Sequence, residues 1–136
     1  MYQYMANQYK TNTYATSPQQ LVVMCYDGMI MFLNKAKAAM AQSDIAEKTR
    51  YINKTLAIVA ELQSNLNFEM GGEIAKNLDR IYDYFGRELL TASVRNDSGK
   101  IDAVINLMRE LRTSWAKVAN ENSSLPDTSN GVLTTC

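Results

Sequence analysis

Leu66-Asn67-Phe68-Glu69-Met70-Gly71-Gly72-Glu73-Ile74, continuing through Tyr82-Asp83-Tyr84 to Arg95-Asn96-Asp97, is the stretch that decides the fold. It joins a pair of glycines to a run with helical periodicity and ends in a second polar break. At the helical rotation per residue, Ile74, Leu78, Ile81, Phe85, Leu89 and Ala92 share one side, with Asp79, Asp83 and Arg87 on the other. That pattern predicts a helix facing a core. Gly71-Gly72 supplies the backbone freedom at which a helix ends, so two helices are expected to meet there.

Three more helices can be placed around this one. Ser17-Pro18-Gln19-Gln20 opens the first: Ser17 suits the N-cap, Pro18 the first turn, and Gln20 can close a capping box. That helix should run to about Gln42. It is apolar almost all round, with Leu21, Cys25, Met29, Phe32 and Ala36 flanked by Val22, Tyr26, Ile30 and Leu33, and with Met24, Gly28 and Met31 opposite. Asp44 and Glu47 have capping-box spacing and start a second helix, expected to reach about Asn67, with a stripe of Ile52, Leu56, Val59, Leu62 and Leu66. Asp97-Ser98-Gly99 caps a fourth, in which Ile101, Val104, Met108, Leu111, Trp115 and Val118 recur at three-four spacing.

Four helices with short connections predict an all-α fold, an antiparallel up-down-up-down four-helix bundle over residues 17–120. Before it lies a tyrosine-rich N-terminal arm, residues 1–16, containing Tyr2, Tyr4, Tyr9 and Tyr14. Such an arm is either a disordered terminus or a segment that docks its rings in an apolar groove. Residues 121–136 turn to Asn, Ser, Thr, Asp, Pro and Gly and read as a flexible tail.

Composition excludes several classes of function. Fourteen basic and fourteen acidic side chains balance, with no basic stripe of the kind nucleic acid requires. No stretch is long and apolar enough to insert in a membrane, and a cytoplasmic location is expected. The two cysteines, Cys25 and Cys136, fit a reduced compartment and no disulfide framework. Histidine is absent, which removes the commonest general base and the commonest transition-metal ligand. No catalytic residue, metal site or cofactor is expected. Glu69, Glu73 and Asp83 are better explained by helix position than by acid-base work, and Cys25 has no histidine to activate it.

A bundle needs one buried stripe per helix, so the extra apolar flanks of the first helix point to an interaction surface. Helical geometry selects Val22, Tyr26, Met29, Ile30 and Leu33 as its lining. Tyr82 falls near the core stripe of the third helix and Tyr84 outside it. Either packing at the bundle edge or contact with a partner would suit them, and Tyr84 joins the candidate groove.

Several motifs occur together in order. They are Ser17-Pro18 with Leu21-Val22, Met24 and Tyr26-Asp27-Gly28; Glu69 with Gly71-Gly72-Glu73-Ile74-Ala75 and Asn77-Leu78; Ile81-Tyr82-Asp83-Tyr84; Arg95-Asn96-Asp97; and Trp115. In this the chain resembles the flagellar secretion chaperones for flagellin, over about residues 1–119. Cys25 stands where that family usually has leucine. The resemblance implies a four-helix bundle, not an enzyme, that holds the disordered C-terminal segment of flagellin in the cytoplasm. It would prevent premature polymerisation and aid delivery to the flagellar export gate as part of the client complex. It also implies that the arm can occupy part of the groove when no client is bound; Tyr9, at the family's arm tyrosine, and with it Tyr14 are expected to form the plug. Another flagellar regulator is a candidate partner for a different face.

Two competing readings follow from the same residues. A self-associating structural bundle would cover the surplus apolar face with a second copy. A small helical enzyme would use Arg80, Arg87 or Arg95 to grip a dianion, but these lie on the wet side of their helix with no second cluster facing them.

Overall fold

The structure, a computed structural model, describes residues 17–123; the arm and the rest of the tail lie outside the described residues. Four helices account for nearly all of it: α1 (Pro18–Ala41), α2 (Ile45–Ser64), α3 (Phe68–Arg95) and α4 (Ser98–Ser123). Each packs on its neighbours in the chain, and α1 closes the ring against α4. The ties between helices fix their directions. Asp27 pairs with Arg112 and Lys37 with Asp102, so α1 and α4 are antiparallel. Gln63 meets Asp79 and Asp83, while Lys48 meets Ser93 and Asn96, so α2 and α3 are antiparallel as well. This is the up-down-up-down bundle that the apolar periodicity predicts.

The helix ends are set locally. Ser17 Oγ accepts from the Gln20 amide at 3.1 Å, and the Ser17 amide donates to Gln20 Oε1 at 2.9 Å, a complete capping box with Pro18 just inside it. Asp44 Oδ1 accepts from the Glu47 amide at 3.1 Å, while the Glu47 carboxylate turns to Arg50 instead of closing its box. Asp97 Oδ1 accepts from the Lys100 amide at 3.2 Å and starts α4. Asn96, with φ 55° and ψ 46°, ends α3 in the left-handed conformation that asparagine tolerates.

The glycine pair behaves differently from a simple helix junction. α2 stops at Ser64, short of Asn67, and Asn67 caps a first turn that begins at Phe68. Only at Gly72, with φ 50° and ψ −126°, does the backbone leave helical geometry before α3 resumes. The buried stripe beyond it lies to one side of the predicted one. Ile74, expected on the core stripe, is 54% exposed, whereas Ala75 is buried. The observed stripe of α3 is Gly71, Ala75, Leu78, Tyr82, Phe85, Leu89 and Ala92, with Ile81 only half-buried. α4 also runs to Ser123, further than the sequence pattern indicates.

Candidate functional site

The apolar spread of α1 places Val22, Tyr26, Met29, Ile30 and Leu33 on a groove; the structure divides them. Val22, Tyr26, Met29 and Leu33 are at most 1% exposed and belong to the bundle core. This corrects the expectation that the extra flanks of α1 lack partners. A helix in a closed ring touches two neighbours and the centre, so a wide apolar arc is consumed internally. Tyr26 is admitted because its hydroxyl meets that of Tyr82 at 3.0 Å, which removes most of the penalty of burying it. Ile30 and Tyr84 are the two candidates that remain half-buried at the surface, packed on the core from outside. Tyr9 and Tyr14 lie outside the described residues.

Ile30 and Tyr84 flank the same helix. Ile30 shares an edge of α1 with Asp27 and Lys37, both of which reach α4. Tyr84 shares an edge of α3 with Glu88, which pairs with Lys100 of α4 at 3.2 Å. The α1 flank contains a cleft of about 260 Å³ whose walls include Val23, Met24, Ala116 and Ala119. Asp27 and Arg112 cross it, with Arg112 Nε at 2.8 Å and Nη2 at 3.3 Å from the two carboxylate oxygens. That hydrogen bond, and then the attraction of the carboxylate, raise the Arg112 pKa above its ordinary value. On the α3 flank, half-buried Ile81 and Tyr84 accompany Leu107 and Leu111 of α4. Both seams set half-buried apolar side chains beside ion pairs to α4.

Sequence reasoning missed a third apolar feature. Phe68, Met70 and Ile74, around the Gly72 kink, are each about half exposed or more. The available signal was the clustering of large apolar side chains on both sides of a helix break, where no single helical phase can bury them all. Cys25 is buried. Among the described residues no group of histidine, cysteine or carboxylate side chains is arranged to hold a metal ion, and no helix is long and apolar enough to cross a membrane.

The family described as flagellar protein FliS matches residues 1–122. The flagellar secretion chaperone FliS of Vibrio cholerae is 37% identical over 87% of both chains. Its namesake in Salmonella typhimurium is 36% identical over 80% of this chain and 82% of its own. That of Campylobacter jejuni is 35% identical over 79% and 84% respectively.

Proposed function

The chain belongs to the flagellar protein FliS family, and on that premise we propose that it is a cytosolic export chaperone for flagellin. It binds the disordered C-terminal segment of the newly made subunit, keeps it from polymerising early and helps deliver it to the export gate. The observation that carries this reading is similarity along nearly the whole chain to proteins named flagellar secretion chaperones. The family is one of chaperones, and the chain is not an enzyme.

The physical form of the surface supports the reading. Client helices would lie along the two seams that flank α4, with Ile30 on one side and Tyr84 on the other. Val22, Tyr26, Met29 and Leu33 form the rigid floor beneath the α1 seam rather than its contact surface. Coupled folding of such a segment typically buries roughly 1,000–3,000 Å² and spends about 2–5 kcal/mol on ordering, so the hold is firm yet releasable. Tyr9 and Tyr14 of the arm act as a plug whose docking lowers the apparent client affinity.

Calorimetric titration of the full chain with a peptide covering the C-terminal segment of flagellin tests this. Saturable one-to-one binding with a negative heat-capacity change, tightened by deletion of residues 1–14, is the expected result. Absence of binding with the arm both present and deleted would overturn it, and a tight dimer indifferent to flagellin would replace it with the self-associating bundle.

A further inference from the structure

The start of α3 carries large apolar side chains that the four helices leave uncovered. Phe68, Met70 and Ile74, on either side of the kink at Gly72, are 49%, 58% and 54% exposed. Ile74 stands two turns before Ile81 and shares with it and Tyr84 the flank of α3 that meets α4. On α4, half-buried Val118 continues the line of Leu107 and Leu111 along the same seam. The patch is therefore the open end of the seam between α3 and α4. Lys100, at the start of α4, pairs with Glu88, late in α3, so the end of α4 at Ser123 lies beside the start of α3. The chain continues from that corner with residues 124–136.

We propose that residues 124–136 dock on this patch, with Leu125, Val132 and Leu133 against Phe68, Met70 and Ile74, and so close the open end of the seam. Position selects this occupant. Packed helices lie about 8–10 Å apart and a segment of this length can span about 40 Å, so every part of the patch is within its reach. Pro126 has no amide hydrogen and disfavours helical backbone at Leu125, which favours departure from the axis of α4 directly after that helix ends. Asn130-Gly131 offers a further turn before Val132-Leu133. Asp127 is the only charged side chain in the segment, so docking brings little charge to an apolar surface. Tethering raises the effective concentration of the segment at the patch, and contacts too weak to hold a separate peptide suffice. The N-terminal arm is the poorer candidate, because it leads into α1, which stands diagonally across the bundle from α3. The inference rests on the fold and not on the flagellin reading.

A nitroxide attached to Cys136 of the isotope-labelled full chain tests this through paramagnetic broadening of amide signals, Cys25 being buried in the core. Signals of residues 68–75 should lose most of their intensity, while those around Ser43 and Asn96, at the opposite end of the bundle, should keep theirs. Val132→Ser with Leu133→Ser should restore the lost signals. Met70→Glu with Ile74→Glu should do the same, with circular dichroism confirming that these exposed substitutions leave the helices intact. Mixing spin-labelled with isotope-labelled molecules separates contact within one chain from contact with a second copy. Broadening spread evenly over the bundle, broadening that survives both pairs of substitutions, or broadening seen only between molecules would each overturn the proposal.

Discussion

The hydroxyls of Tyr26 on α1 and Tyr82 on α3 meet at 3.0 Å in the buried centre of the bundle. These helices stand diagonally opposite in the ring, so the contact joins two that are not neighbours. A net contribution of about 1 kcal/mol is expected for a neutral buried bond of this kind. Tyr26→Phe, Tyr82→Phe and the double variant, compared by urea denaturation, should show a coupling energy of that order. Strict additivity of the two changes would mean that the hydroxyls are satisfied independently.

Two glycines of α3 should respond to alanine with opposite signs. Gly72 has φ 50°, so Gly72→Ala strains the backbone even though a Cβ there would meet nothing within 4 Å, and should cost about 1–3 kcal/mol. Gly86 is also open to a Cβ but sits within regular helix, and Gly86→Ala should stabilise by roughly 0.5–1 kcal/mol. Melting temperatures of the two variants, moving in the same direction, would contradict the distinction.

Lys48 is buried to 8% exposure and donates to the Ser93 carbonyl at 2.9 Å and to Asn96 Oδ1 at 3.2 Å. It ties the start of α2 to the end of α3, where a positive charge also suits the helix dipole. Lys48→Met keeps the aliphatic stem but removes both bonds, at a cost of about 1–3 kcal/mol. Native-state hydrogen exchange should show the loss concentrated in the last turn of α3. Unchanged protection there would show that the tie contributes nothing.

Adjacent residues of α1 should separate folding from binding. Met29 is fully buried, and Met29→Ala should cost about 2–5 kcal/mol of stability. Ile30 lies at the surface of the α4 seam, so Ile30→Glu should keep the fold but weaken flagellin-peptide binding by at least about tenfold, the loss expected for a charge set in an apolar contact. Wild-type affinity in a folded Ile30→Glu variant would remove Ile30 from the groove.

Much of this protein was settled by short-range chemistry that a sequence displays. The Ser17 capping box, Pro18, the caps at Asp44 and Asp97 and the break at Gly72 act within a few residues of themselves, so the four helices and their antiparallel order are legible in the chain. The tertiary structure decided which apolar side chains stay outside. α1 is apolar over so wide an arc that periodicity cannot rank its residues, and only contact with α2, α4 and the centre assigns Met29 to the core and Ile30 to the surface. In α3 the buried stripe takes Ala75 and Tyr82 where the predicted stripe takes Ile74 and Ile81, because the neighbouring helices decide which flank of a wide apolar arc is covered. Tyr82 displaced Ile81 from the centre because its hydroxyl found Tyr26, a partner brought within reach only by the folded bundle.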